Sequence, residues 1–171
     1  AHIGEYYESY YTSLSLAFAG CDNLETIMVD EDNPYLSVDE NGVLYNKDKT
    51  ALIYAPANCV GDAFVIPNTV KEVSYAAFVD CEDFSLTIPN SVEDTAFIYC
   101  TSVNEYILSD THPYLKSIDG VLYVYGTDEN ENEVMALAKY PVSSDRKVFV
   151  VPENVGGVEI MAFTNYPAYA F

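Results

Sequence analysis

The chain has no tryptophan, only two histidines, and seven basic residues against 27 acidic ones in a length of 171. Each shortage excludes something. At a formal net charge of −20 the chain lacks the clustered Lys and Arg that neutralise phosphates, so neither nucleic acid nor an anionic membrane surface is an expected partner. A basic protein patch or a cation suits such a charge, and so does plain solubility outside a cell. No apolar run approaches the ~18 residues of a membrane span, so membrane insertion is not expected. No signal peptide is visible, and the chain starts Ala1-His2-Ile3 without Met, so it reads as a processed or excised piece. Glycine-rich phosphate loops are missing, and the four cysteines lack zinc spacing.

The chemistry-bearing residues are equally sparse. His2 is terminal, and His112 precedes Pro113, where a polar turn residue needs no catalytic explanation. No Ser/His/Asp or Cys/His set recurs at strand ends. Carboxylates are so many that a pair at the ~5–9.5 Å of glycosidase chemistry would mean little. No enzyme activity, cofactor or resident metal is therefore expected. Residues Asp128, Asn130 and Asn132 match the opening ligand alternation of a calcium loop. Glu133 stands at its glycine position and Lys139 at its closing glutamate position, so residues 128–133 read as a solvated hairpin tip, with a weak calcium site as the alternative.

What the chain does have is repetition. Ile66-Pro67-Asn68-Thr69-Val70 is followed by Ala77-Phe78-Val79-Asp80-Cys81, and Ile88-Pro89-Asn90-Ser91-Val92 by Ala96-Phe97-Ile98-Tyr99-Cys100. The two prolines are 22 apart, within the ~20–29 residues of one short solenoid coil. Pro67 to Phe78 and Pro152 to Phe163 are both 11, whereas Pro89 to Phe97 is 8, so the middle copy has lost three residues. Counting 8 from Cys21 reaches Val29, and 8 from Cys100 reaches Leu108. Both positions are expected to stand level with Pro89.

A longer unit overlies the short one. Asn33-Pro34-Tyr35-Leu36 recurs as His112-Pro113-Tyr114-Leu115 at an offset of 79, and Gly42-Val43-Leu44-Tyr45 as Gly120-Val121-Leu122-Tyr123 at 78. The Ala-Phe pairs at 77 and 162 are 85 apart. One coil cannot bury its apolar side alone, so coils must stack into continuous side-chain ladders. Phe78, Phe97 and Phe163 are expected to lie above one another inside.

The expected fold is thus one solenoid domain over 1–171, mainly β, with short helical turns and two inserted β-hairpins. Residues 1–16 read as a capping helix or, equally, a degraded coil. Strands are expected at 24–29, 64–66, 86–88, 106–108 and 149–151, and hairpins at 43–46 with 51–54 and at 121–125 with 133–138. Many of the sixteen tyrosines read as half-buried, hydroxyl outward. Cys21, Cys81 and Cys100 share one repeat position, which reads as a slot for buried free thiols. A Cys81–Cys100 bridge between consecutive coils is the alternative, since the ~4.8 Å strand spacing overlaps the ~4.4–6.8 Å Cα range of a disulfide. After Phe163 the end looks cut rather than capped, so more chain or a partner is expected to cover it.

With these residues in view, the chain resembles the BspA-like leucine-rich repeat family of secreted or surface-anchored bacterial proteins. The likeness rests on the Ile-Pro and Ala-Phe-x-x-Cys segments just quoted and on the insert running from Asn33-Pro34 to Lys49-Thr50, and it spans about residues 17–166. The resemblance implies an extracellular or cell-surface module that binds protein or glycan, host extracellular matrix included, and implies no enzyme. It carries over no binding residues, because its motif residues are core. Exposed tyrosines among acids are the natural contacts, with Glu105 and Tyr106 on one strand as the candidates. The alternatives are a passive spacer within a longer surface protein and, last, a carboxylate-based hydrolase.

Overall fold

The computed structural model describes residues 14–21, 23–93, 103–141, 146–159 and 162–163. Its strands, in chain order, are β1 (Leu36–Val38), β2 (Leu44–Asn46), β3 (Ala51–Tyr54), β4 (Ala63–Val65), β5 (Glu72–Val73), β6 (Phe84–Ile88), β7 (Val103–Leu108), β8 (Leu115–Ile118), β9 (Val121–Thr127), β10 (Glu133–Lys139) and β11 (Val155–Val158). Residues 14–18 make a short helical turn, and Ala57–Cys59 a 3-10 turn. The fold is a β-solenoid, mainly β with little helix.

One side of the solenoid is the parallel sheet β4-β6-β7. Phe64, Leu86 and Tyr106 are register partners, and so are Val65, Thr87 and Ile107. The first set is buried among Phe78, Ile66, Val70 and Val92. Alternation along β6 sends Phe84, Leu86 and Ile88 inward, as the period of two in a strand requires. Pro67 and Pro89 follow the strand ends, where a missing N–H costs no ladder bond.

The third strand departs from the expected register. Phe84 pairs with Val103 but Ser85 with Glu105, so Asn104 is a bulge residue. The bulge returns one of the three residues lost earlier in that coil. Leu108 consequently pairs with Ile88, one position before Pro89.

The opposite side is built from the inserts. β3 pairs parallel with β5, and Ser74 N–H donates to the Leu52 carbonyl at 2.9 Å. Ala55 N–H donates to Ala77 O at 2.7 Å. β3 is therefore the return strand of its own coil, and β1-β2 is an excursion from it. Both expected hairpins form, β2 with β3 and β9 with β10, and β1 and β8 extend each into a three-stranded meander. This also places Cys59, four residues after Ala55, at the repeat position that Cys81 holds four residues after Ala77.

The second half repeats the first bond for bond. Ala51↔Glu72 and Leu52↔Val73 recur 85 residues on as Ala136↔Gly157 and Leu137↔Val158. The Ala55-to-Ala77 bond recurs as Tyr140 N–H to Ala162 O at 2.8 Å. The bulge that skips Ile53 recurs at Ala138. Asn33 Oδ1 accepts from Tyr35 N–H and Leu36 N–H, both at 2.9 Å. His112 Nδ1 accepts from Tyr114 N–H at 3.3 Å and Leu115 N–H at 3.1 Å. The histidine is a turn cap, doing what asparagine does in the first copy.

The two described members of the expected aromatic column differ in burial. Phe64 meets Phe78 edge-on at 5.4 Å, and Phe149 meets Phe163 edge-on at 5.9 Å, so the pair recurs at 85. Phe78 is fully buried, whereas Phe163 is 49% exposed and packs on Tyr140 beside a separate core cluster. Phe97 lies outside the described residues, as do residues 1–13 and Cys100, and with Cys100 the alternative of a Cys81–Cys100 bridge. Of the other cysteines, Cys21 is exposed and Cys59 half-buried, not buried thiols. The Cys81 sulfur is buried 3.3 Å from Ala55 O.

Four tyrosines are more deeply buried than expected: 45, 54, 106 and 123. Tyr45 and Tyr54 point their hydroxyls at Asp39 (3.2 Å) and Asp80 (2.5 Å). Burial first, and the carboxylate second, holds both phenols protonated well above their ordinary range.

Residues 24–29 and 149–151 do not form strands. The inserts explain both. In the second copy the Asp119-Gly120 turn lies along β7, where Gly120 O accepts from Tyr106 N–H at 3.2 Å. Arg146 then donates to Asp119 O at 2.6 Å, so the turn sits between β7 and the following coil. In the first copy Gly42 stands in the same relation to residues 26–27. A Cβ on Gly42 would lie 2.9 Å from Thr26 Oγ1, and its φ is +85°. Gly42→Ala is expected to lose at least ~1 kcal/mol from the left-handed backbone alone, and more from the clash. Gly61→Ala, at φ +58° with open space around it, should show the backbone part only. Urea midpoints of the two variants check this.

Candidate functional site

The outer face of β4-β6-β7 is the surface that the fold leaves open on rigid strands. Its side chains are the ones that alternate with the core: Ala63, Ser85 and Glu105 in one row, Val65, Thr87 and Ile107 in the next. The second row is apolar and open at both ends, with Val65 65% and Ile107 42% exposed on either side of Thr87. It floors a cleft of about 590 Å³ whose wall past the strand ends includes Asn68, Pro89, Asn90 and Ser109.

That wall is tied in place. Asn90 Nδ2 donates to Thr111 Oγ1 at 3.1 Å and more weakly to Thr111 O at 3.4 Å. Ser109 and Thr111 share a hydroxyl contact at 2.9 Å. His112 lies beneath, its N–H donating to Ser109 O at 3.0 Å. The cleft therefore has a neutral floor and a hydrogen-bonding rim.

Acidic residues stand near both ends of the strands. Asp62, Glu82, Asp83 and Glu105 are exposed at or near the starts of the three strands, and Asp110 follows the end of β7. Asp83 holds φ at +53°, which aspartate tolerates better than most residues. Lys71 is the one basic residue between 51 and 110. It lies on the return side of its coil, where its N–H bonds Thr50 O and its carbonyl accepts from Glu93 N–H.

The structure separates the two residues expected to bind. Glu105 is exposed on the outer face, but Tyr106 is 1% exposed and belongs to the core. The bulge is the reason. It leaves Asn104 and Glu105 both outward in succession, and alternation then turns Tyr106 inward. Val65 and Ile107 were missed because each sits in a short continuous apolar run, Phe64-Val65-Ile66 and Tyr106-Ile107-Leu108, whose parity a sequence does not display.

At the hairpin tip, Asp128 Oδ1 accepts from Asn130 N–H at 2.8 Å and Asn132 N–H at 2.9 Å. Asn132 Nδ2 stands 3.3 Å from Oδ1 and 3.1 Å from Oδ2. These bonds, Asn132's first, hold the Asp128 carboxyl below its ordinary range. A cation would have to displace the Asn132 amide from both oxygens. Among the described residues no three His, Cys, Asp or Glu side chains gather closely enough to hold a metal, and no helix is long and apolar enough to cross a membrane.

No family model matches the chain, and no curated protein matches it. Two solved structures are similar to it. One is a leucine-rich repeat protein from Eubacterium ventriosum, 28% identical over 54% of this chain and 32% of that one, with a TM-score of 0.45. The other is the pneumococcal vaccine antigen PcpA, 26% identical over 49% of this chain and 22% of that one, with a TM-score of 0.43. The matches thus span a third or less of those chains' lengths.

Proposed function

We propose that this chain is a binding module of a bacterial surface or secreted protein, of the BspA-like kind, and that it engages a protein or glycan ligand through the outer face of β4-β6-β7. The observation that carries the reading is the pair of open apolar side chains, Val65 and Ile107, flanking Thr87 in one row of the sheet. Apolar side chains on a rigid strand face lose little conformational freedom on contact, which favours binding, and an exposed apolar patch with a polar rim is the form a recognition surface takes. The Ile-Pro and Ala-Phe-x-x-Cys pattern supports the family and the extracellular setting.

The test is capture from a panel of extracellular matrix proteins and glycans, with Val65→Asp/Ile107→Asp as the paired variant. Both side chains point away from the core, so the variant should fold. It is expected to lose at least ~10-fold in affinity for any captured ligand, a loss of ~1.4 kcal/mol or more. A panel that yields nothing, or a ligand bound equally by the variant, overturns the reading.

A spacer role has its own support in β11. Among the described residues this strand pairs only with β10, and Val158 is exposed on it. Such an edge suits the stacking of one unit on another.

A further inference from the structure

Resting on the binding role of the outer sheet face, we propose that the face takes a basic segment of a partner protein. The segment lies across β4, β6 and β7, with Lys or Arg flanking two apolar side chains three residues apart. Charge decides the sign. Between residues 51 and 110 there are nine acidic side chains and one basic one. Asp62, Glu82, Asp83 and Glu105 crowd the strand starts of this sheet, and Asp110 follows its last strand. Lys71 stands on the return side of the coil, where its backbone bonds Thr50 and Glu93. An acidic segment would meet uncompensated like charge here, and a basic one meets its complement.

Spacing decides the rest. Val65 and Ile107 are the large open apolar side chains of the second outer row, two strand spacings apart with Thr87 between. Two spacings are ~9.6 Å. Three residues of polyproline-II chain advance ~9.3 Å and return to the same face. A segment in that conformation sets its apolar residues i and i+3 over Val65 and Ile107. Its intervening backbone then crosses Thr87, and the Asn68 and Asn90 rim meets the backbone polar groups that a polyproline-II chain leaves unpaired. The floor is neutral, so the apolar pair seats without burying a charge.

Three synthetic peptides test this by amide chemical shifts of the intact chain. Each holds Leu-Pro-Pro-Leu, flanked by two lysines, two glutamines or two glutamates at each end. The lysine peptide is expected to shift Val65, Thr87 and Ile107 and to bind about tenfold more tightly than the glutamine peptide near 0.05 M salt. That gap should close near 1 M salt, where the screening length falls to ~3 Å. Asp62→Asn/Glu105→Gln should narrow the gap between the lysine and glutamine peptides. Equal binding of lysine and glutamine peptides, or preference for glutamate, overturns the basic partner while leaving the face a binding surface. No shift at those three residues with any peptide overturns the proposal as well. If the capture panel also yields nothing, the binding role of the face falls with it.

Discussion

Phe78→Ala is expected to destabilise the protein by about 3–5 kcal/mol. The ring is fully buried between Phe64 at 5.4 Å and Phe84 at 5.6 Å. Removing it leaves a cavity at the centre of the main core, touching strands of two successive coils. The neighbouring rings are fixed by their own strands, so the hole closes only in part. In a chain of this length the loss corresponds to a fall of roughly 6–20 °C in Tm. Phe163→Ala removes the same ring from the same motif position, 85 residues on. That ring is 49% exposed, so the expected loss is only about 1–2 kcal/mol. Equilibrium unfolding of both variants checks the pair. Equal losses would mean that burial does not set the difference between the two copies.

His112→Ala is expected to lose about 2–4 kcal/mol, because two backbone N–H groups lose their acceptor at a buried site. His112→Asn should recover most of this, since Asn33 caps the equivalent turn through Oδ1. The two variants also separate in acid. Nδ1 accepts two bonds and so carries no proton, which leaves the proton of the neutral ring on Nε2. Burial lowers the imidazole pKa below its ordinary value, with the Pro89 carbonyl pulling weakly the other way. The unfolded chain therefore takes up a proton at ~6.5, before the folded chain does. Stability is full above that pH and declines below it, at up to ~1.4 kcal/mol per pH unit. Most carboxylates titrate lower, near ~4, so the interval between pH 5 and 6.5 isolates the histidine. Urea midpoints across that interval should slope for the wild type and lie flat for His112→Asn. A slope that survives the substitution would assign the acid sensitivity elsewhere.

The fold was legible because its determinants are periodic. Pro67 and Pro89 mark the strand ends that the structure shows, and the offsets of 78, 79 and 85 are the offsets at which the two halves repeat their bonds. What escaped was parity and position within a coil. Asn104 is one residue, yet as a bulge it moved Leu108 level with Ile88 and sent Tyr106 from the expected contact surface into the core. Cys59 was hidden because its coil arrives by way of an insert and has Pro56 where other coils have phenylalanine. The strands expected at 24–29 and 149–151 fail because the Gly42 and Gly120 turns lie against the neighbouring strand segments. Nothing in either segment's own composition records that. The outer face is a harder case still. Its character depends on which way Val65 and Ile107 turn, and the apolar runs holding them are neutral on the question.

The two glycine turns act as bookends, so the width of the exposed floor is a matter of arithmetic on the chain. It equals the number of plain coils falling between one insert and the next, which here is enough for three strands. Splicing in one more coil of ~22 residues would broaden the platform by a single strand, ~4.8 Å, and leave both boundaries as they stand. A lineage that shuffled coils and inserts in this way would change the length of the motif it reads while keeping the same hydrophobic interior.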